Sequence, residues 1–224
     1  DAGATEPVIT YYAASDTELT TPIDKPTEPG SYVVKATVGS ATAELAFEIK
    51  AHTHTDADGN VITFQPWEKT DSLPTEGNWY LTKDVTLTNF SVISGKTVNL
   101  CLNDKVLNLN KKGNITVAAG ATLNLFDCGT GTTRYYDKDA TTGLWTLNTA
   151  LTSGDYSTTG GVITGGNASS TINKFKSGGG INVSGTFTMK GGNIVGNTSS
   201  GAGGVYLQTG ATFNMDGGSI VGNK

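Results

Sequence analysis

Two histidines lie close together near the start of the chain, in the string His52-Thr-His54-Thr-Asp56-Ala-Asp58. Alternate residues of an extended strand point to the same side, so these two imidazoles and two carboxylates share a face. Such groups at this spacing are ligands for Zn²⁺ or another divalent ion. The alternative is a polar linker or hairpin turn, because linkers with histidines at the surface are common.

The chain has two cysteines, Cys101 and Cys128, without the CxxC or Cys/His clusters typical of metal sites. Counted from Gly95 and Gly120, Cys101 has the same position as Phe126, and Cys128 lies two residues further along on the same outward side. The pattern leaves two alternatives open, a disulfide across neighbouring strands or two unpaired thiols.

Residues 129–159 interrupt an otherwise regular pattern and contain clustered aromatic and charged side chains. Aromatic faces and arginine dominate contacts with sugars and proteins, so this insertion is a candidate binding platform. The alternative is that Trp145 and Leu147 pack the insertion onto the rest of the domain. The predicted ligand-binding residues are Arg134, Tyr135, Tyr136, Asp137 and Trp145.

These residues must be positioned by a repeat. The segment 95–100 (GKTVNL) recurs 25 residues later as 120–125 (GATLNL), and the segment 186–197 recurs as 212–223. A unit of this size cannot bury an apolar face alone, but stacking units into a coil closes every strand against the next. Alternation then predicts these inward-facing residues: Val98, Leu100, Leu102, Leu123, Leu125, Phe187, Met189, Phe213 and Met215.

Three asparagines follow glycines at the ends of successive repeats: Asn167, Asn197 and Asn223. Glycine and asparagine accept the left-handed backbone that a sharp corner requires. We expect these asparagines to be structural turn residues that stack as a hydrogen-bonded ladder.

The first 50 residues form a separate β-unit, with predicted strands at 8–13, 31–38 and 43–49. Residues 51–66 are predicted to be a linker or a hairpin turning at 58–60, and residues 67–73 a short helix. The pattern Pro26-x-x-x-Gly30-x-Tyr32-x-Val34 resembles the immunoglobulin-like modules of bacterial cell-surface proteins. This resemblance implies that residues 1–50 are all or part of such a module.

Residues 67–224 are predicted to form the second domain, entered through an aromatic cap of Trp67, Trp79 and Tyr80. The strings GATLNLFDCG, GGGINVSGTFTMKGGNIVGN and AGGVYLQTGATFNMDGGSIVGN resemble the pectate-lyase-like right-handed parallel β-helix repeats of large surface proteins from gut Firmicutes. The resemblance covers residues 80–224. It implies a single-stranded right-handed β-helix, truncated at its C-terminal end.

The fold class predicted for the chain is all-β, since Val, Ile, Thr, Tyr and Phe alternate with small polar residues. The net charge is −5 and Arg134 is the only arginine, which argues against nucleic acid as a partner. No apolar stretch approaches the length of a membrane span. No cofactor is expected, and the fragment is expected to be monomeric.

The predicted function is that of a non-enzymatic segment of a bacterial surface protein, extracellular and attached to the cell wall. It would serve as an adhesin or stalk that binds host or plant glycans or a host glycoprotein. Glycan-cleaving β-helices need paired carboxylates, which these repeats do not offer. The alternative is a polysaccharide-active lyase or hydrolase whose catalytic coils lie outside this fragment.

Overall fold

The computed structural model describes residues 6–56, 58–87, 90–111, 113–128, 131–148, 152–168 and 178–224. These residues form an all-β protein of 22 strands. They divide into two compact units, one ending at Thr63 and the other running from Phe64 to Lys224. Nowhere in the described ranges is there a helix long and apolar enough to cross a membrane.

The first unit contains an antiparallel sheet in the order β1-β2-β3. Its strands are β1 (Val8–Ala13), β2 (Gly30–Val38) and β3 (Ala41–Ile49). A two-residue loop joins β2 to β3, and Gly39 takes a φ of 59° there, which suits a tight hairpin. Tyr12 is buried in this sheet, while Phe47 contacts the rings of Tyr11 and Tyr32. The strand positions agree with the sequence pattern to within two residues.

After β3 the first unit continues into β4 (His52–Thr55) and then turns. Gly59 has a φ of 86° in this turn, and the amide of Asp56 donates to the carbonyl of Asn60 at 2.9 Å. The turn therefore falls at 58–60, where the Asp-Gly-Asn string predicts one. The next strand, β5 (Val61–Trp67), begins in the first unit and ends in the second.

Most of the second unit consists of short strands that pair in parallel. In chain order they are β6 (Gly77–Leu81), β7 (Val85–Thr86), β8 (Phe90–Val92), β9 (Thr97–Cys101), β10 (Val106–Asn108), β11 (Ile115–Val117), β12 (Thr122–Phe126), and then β16 (Val162–Thr164), β17 (Ile181–Val183), β18 (Thr186–Met189), β19 (Asn193–Val195), β20 (Val205–Leu207), β21 (Thr212–Met215) and β22 (Ser219–Val221). Between these two groups, the chain forms β13 (Thr133–Lys138), β14 (Trp145–Asn148) and β15 (Tyr156–Thr159).

Three parallel sheets result, in the orders β22-β19-β16-β10-β7, β20-β17-β11-β8 and β21-β18-β12-β9-β6-β5. Thr97 pairs with Thr122, and Thr186 pairs with Thr212, so the sequence repeats are neighbouring strands in register. Thr122 in turn pairs directly with Thr186. β12 and β18, which precede and follow residues 129–159 in the chain, are therefore adjacent in one sheet, and the inserted segment leaves the stack without breaking it.

The apolar residues of the repeats fill the core between these sheets. Seven of the nine predicted inward-facing residues are completely buried: Val98, Leu100, Leu102, Leu123, Leu125, Phe187 and Met189. Phe213 is half-buried and stacks on Phe187 with ring centroids 5.2 Å apart. Met215 is 48% exposed because β21 is the last strand of its sheet among the described residues.

The inserted segment forms its own antiparallel sheet in the order β14-β13-β15. Tyr135 pairs with Asn148 of β14 on one side and with Ser157 of β15 on the other. The insertion is thus a three-stranded sheet whose central strand carries most of the predicted ligand-binding residues.

The short helix predicted at 67–73 is wrong. Trp67 ends β5, and its indole nitrogen donates to the carbonyl of Ser72 at 2.7 Å. Leu73 is buried, and Trp67 packs against the same core and against Trp79, with ring centroids 5.1 Å apart. The tertiary contacts of Trp67 and Leu73 fix an irregular connection here, which overrides a local helical preference over so few residues.

Candidate functional site

A groove of about 610 Å³ lies beside β14, along one edge of the stacked strands of the second unit. Its polar lining comes from amide, hydroxyl and ammonium groups, and its apolar lining from the inserted sheet. The lining residues are Asn108, Asn110, Lys111, Leu144, Trp145, Thr146, Leu147, Thr164, Gly165, Gly166, Asn167, Gly196 and Thr198. None of these described residues is acidic.

The rim of the groove is a strained turn that follows β10. Asn110 and Lys111 have φ values of 52° and 56°, a left-handed conformation that costs a residue other than glycine about 1–2 kcal/mol. Two hydrogen bonds hold the turn: the Asn108 side-chain oxygen accepts from the Asn110 amide at 2.8 Å, and the Lys111 amide donates to the Gly165 carbonyl at 2.6 Å. These bonds hold the backbone of Lys111, an exposed residue that contributes to the lining of the groove.

Trp145 forms the apolar wall of the groove. Its ring stacks on Tyr156 with centroids 4.0 Å apart and an interplanar angle of 12°. Its amide donates to the carbonyl of Gly222 at 3.0 Å, and a Cβ atom at position 222 would lie only 2.2 Å from the indole ring. The indole therefore lies between Tyr156 and Gly222 and packs the inserted sheet against the stacked strands. The same ring forms one wall of the groove.

Two of the predicted ligand-binding residues are structural. Arg134 is buried and forms an ion pair with Asp104 at 3.1 Å, and it also donates to the carbonyls of Asp104 and Gly160. Tyr136 is fully buried with its hydroxyl 3.1 Å from that of Thr158, and burial raises the pKa of this phenol. Neither side chain is accessible to a ligand.

The remaining predicted residues are Tyr135 and Asp137 on β13 and Trp145 on β14. Tyr135 is half-buried and Asp137 is exposed, both on the face of β13 opposite Arg134 and Tyr136. Asp137 accepts two hydrogen bonds from the Asn148 amide, at 3.0 and 3.1 Å. Of the five predicted residues, only Trp145 lines the groove.

The asparagine and lysine side chains of the groove did not emerge from the sequence as a site. The string Asn108-Leu-Asn110-Lys111 is typical of a polar turn, and Thr164 and Thr198, which line the same groove, are distant from it in the chain. The sequence feature that could have indicated the groove is an Asn/Lys/Gly-rich segment between two strands. This composition is typical of any tight turn.

The two histidines lie on one side of β4, as alternation predicts. Their Nε2 atoms are 3.1 Å apart, and their rings have centroids separated by 5.1 Å. Partial burial, together with the charge of His54, lowers the pKa of His52 to about 4. His52 is therefore neutral, and able to act as a ligand, at physiological pH.

The carboxylate of Asp56 is engaged in the turn that follows β4. Its oxygens accept from the amides of Asp58 and Asn60 at 2.9 and 2.8 Å, and from the Asn60 side chain at 3.1 Å. Hydrogen bonds from Asn60 are the main cause of the lowered pKa of Asp56. Since this carboxylate is committed to the turn, it is a poor partner for a metal shared with the histidines, and Asp58 lies in the turn itself.

The two cysteines are close neighbours in the second unit. Cys101 pairs with Phe126 across β9 and β12, as the count from the glycines predicts, and Cys128 follows two residues later. Their sulfurs are 3.8 Å apart, which is a hydrogen-bonding rather than a bonded distance. Cys101 is buried and Cys128 half-buried, and burial raises the pKa of both thiols.

Two of the three predicted turn asparagines form a ladder. The Asn197 side chain is completely buried and donates to the side-chain oxygen of Asn223 at 2.9 Å. Asn167 does not occupy the equivalent position, because Ile163 pairs with Ile194 and this register puts Gly166 opposite Asn197. The side-chain oxygen of Asn197 accepts from the Gly166 amide at 2.8 Å, while Asn167 pairs with Thr198 and lines the groove.

Comparison of the chain with protein-family models, with curated proteins and with solved structures found no match.

Proposed function

We propose that this chain is a non-enzymatic segment of an extracellular bacterial surface protein, and that it binds glycan in the groove beside Trp145. The observation that carries this proposal is the composition of the groove. Side chains of Asn108, Asn110, Thr164 and Thr198 supply amide and hydroxyl groups, and Trp145 and Leu147 supply an apolar wall. Sugars present hydroxyls on the edges of apolar ring faces, so a site with both kinds of surface suits them.

The scaffold in this proposal is a right-handed parallel β-helix that follows an immunoglobulin-like module. Three parallel sheets with repeats in register support the helix, and the antiparallel sheet of the first unit is compatible with the module. Rigid stacked strands would hold the groove in place, and an extended stack suits a stalk that carries a binding site away from a cell wall.

Binding is favoured over catalysis by the charges of the groove. Glycoside hydrolysis needs a carboxylic acid and a carboxylate on either side of the scissile bond, and the described lining residues include neither Asp nor Glu. Lys111 is the one charged side chain among them. This ammonium at the mouth of the groove favours glycans that carry a carboxylate, such as uronic or sialic acids.

A glycan array tests the proposal, using the intact chain and a Lys111→Gly, Thr198→Ala variant. Glycine suits the left-handed backbone at position 111, so the substitution removes the ammonium and relieves strain in the turn. We expect the variant to lose affinity for the selected glycan by about tenfold or more, the effect of one charged hydrogen bond. Circular dichroism verifies that the variant keeps its β structure.

The control is Lys50→Ala, which removes an equal charge from an exposed position in the first unit. It should bind the glycan as the parent does. Equal binding by the groove variant, or no glycan bound by the intact chain, would contradict the proposed site. New reducing ends or unsaturated products from a bound polysaccharide would show that the chain is an enzyme instead.

A further inference from the structure

We propose that Cys101 and Cys128 close to a disulfide when a disulfide oxidant accepts their electrons, and that this bond fastens the start of the inserted segment to the stacked strands. Both residues lie in the second unit, and both are thiols in the structure. The inference does not depend on the glycan groove, because neither cysteine lines it.

Strand pairing brings the two sulfurs together. Cys101 ends β9 and pairs with Phe126, the last residue of β12, and Cys128 follows two residues later. Their Sγ atoms are 3.8 Å apart, so an approach of about 1.8 Å gives the disulfide length of about 2.05 Å. Because Cys128 lies beyond the end of β12, its adjustment does not disturb the pairing of β9 with β12. Closure is therefore a local change of two side chains.

Exposure decides which cysteine reacts first. Cys101 is completely buried, while Cys128 is half-buried. The Cys128 thiolate therefore attacks one sulfur of the oxidant, which forms a mixed disulfide and releases the first thiol. The Cys101 thiolate then attacks the Cys128 sulfur and releases the second thiol. In sum, two protein thiols lose two electrons and two protons, and the oxidant disulfide takes them up to become two thiols.

The surroundings of the pair favour a lasting bond over catalytic exchange. Burial is the main cause of the raised pKa of both thiols, whereas reactive cysteines have a lowered pKa. Thiolate is therefore scarce at neutral pH, and the attack on the oxidant is slow. A thiol with a high pKa is also a poor leaving group, so the closed disulfide should be reduced slowly.

The bond would reinforce a junction that hydrogen bonds already hold. Asp127, next to Cys128, accepts from the amide of Asp104 at 2.8 Å and from the amide of Gly161 at 2.7 Å. Its carboxylate thus links the turn after β9 to the point where the chain returns from the insertion. A disulfide spanning 27 residues would add a covalent link at this junction and restrict the unfolded chain.

Oxidation of the full, folded chain with oxidised glutathione tests the proposal. We expect the two titratable thiols to disappear, the protein to stay monomeric, and peptide mapping to recover Cys101 joined to Cys128. The Tm of the second unit should rise by about 5–10 °C, as measured by calorimetry with and without oxidant. The matched control is Cys101→Ala, Cys128→Ala, whose Tm should be the same under both conditions.

Two single variants test the order of the reaction. Cys101→Ala keeps the half-buried thiol, so it should accumulate a mixed disulfide between glutathione and Cys128. Cys128→Ala keeps only the buried thiol and should react with glutathione at least about tenfold more slowly. The parent itself supplies the main readout, so the test does not depend on the folding of either variant.

Three results would overturn the proposal. The first is a folded parent that keeps both thiols, or that forms only mixed disulfides or dimers. The second is a link between Cys101 and Cys128 that leaves the Tm unchanged or lowers it, which would mean that the bond does not fasten the junction. The third is faster modification of Cys101 than of Cys128, which would contradict the proposed order of attack.

Discussion

Arg134 and Asp104 join the inserted sheet to the turn between β9 and β10. The guanidinium nitrogen Nη1 of Arg134 lies 3.1 Å from Oδ1 of Asp104, and Nη2 donates to the Asp104 backbone carbonyl at 2.6 Å. The Arg134 side chain is 7% exposed and that of Asp104 25% exposed, so water screens this ion pair much less than a surface pair. The single arginine of the chain therefore anchors the insertion.

Replacing Arg134 should destabilise the second unit. In Arg134→Ala the carbonyls of Gly160 and Asp104 lose their donor and the Asp104 carboxylate loses its counter-charge. We expect the free energy of unfolding to fall by about 2–3 kcal/mol, as measured by urea denaturation. Lys83→Ala is the control, because Lys83 pairs with Glu68 at the surface and such pairs contribute about 0–1 kcal/mol. Equal losses in both variants would contradict an anchoring role.

Acid should weaken the ion pair between Arg134 and Asp104. Burial raises the pKa of Asp104, but hydrogen bonds from Thr132 and Arg134 outweigh it, so the folded-state pKa lies below the ordinary value. The unfolded chain then takes up this proton at a higher pH than the folded protein does. The stabilisation that the ionised Asp104 carboxylate provides is complete above about pH 4. It is lost as the pH falls through the lower pKa of the folded state.

The measurement is the free energy of unfolding of the parent and of Asp104→Asn across the acid range. We expect the difference between the two proteins to be largest near neutral pH and to shrink as the pH falls below about 4. A difference that does not change with pH would mean that the ionised form of Asp104 has no special stabilising partner.

The asparagine ladder predicts that replacing Asn197 lowers stability more than replacing Asn167. Asn197→Ala removes a completely buried amide that bonds to the carbonyls of Ile163 and Val195 and to the Asn223 side chain. We expect a loss of about 2–3 kcal/mol in thermal or urea unfolding, because buried partners are left unsatisfied. Asn167→Ala, one residue outside that register, should cost about 1 kcal/mol or less. The reverse order would mean that the ladder is not where the side-chain amides stabilise the corner.

Core packing predicts that truncating an apolar side chain of β18 lowers stability more than truncating one of β21. Phe187 is completely buried and stacks on Phe213, so Phe187→Ala should cost about 3–5 kcal/mol. Met215 follows the same repeat pattern as Met189 but is 48% exposed, so Met215→Ala should cost about 1 kcal/mol or less. A large loss in Met215→Ala would show that another surface covers β21 in solution.

The candidate groove was only partly foreseeable from the sequence. The clustered aromatic and charged residues of the insertion point to Trp145, but Asn108, Lys111 and Thr198 have the composition of ordinary turns. Arg134 and Tyr136 were misassigned as ligand contacts, since a residue pattern shows which groups are present and does not show whether the fold buries them. The buried partners of Arg134 lie 26 and 30 residues away in the chain.

The sequence alone determined the stacked part of the fold. Alternation with a period of two assigns Leu100, Leu123 and Phe187 to the core, and repeats of 25 and 26 residues set which strands pair, because a slip of one residue would turn the apolar side chains outward. The all-β class and the strands of the first unit follow from the same local rules.

Tertiary structure decided what depends on contacts between distant residues. It replaced the helix at 67–73 with an irregular connection, moved Asn167 out of the ladder by one residue, and turned Arg134 into an anchor. It also brought the sulfurs of Cys101 and Cys128 to 3.8 Å, where counting along the repeat could not choose between a disulfide and two thiols. These outcomes depend on distances of a few tenths of an ångström and on burial, which are properties of the packed chain that residue spacing does not contain.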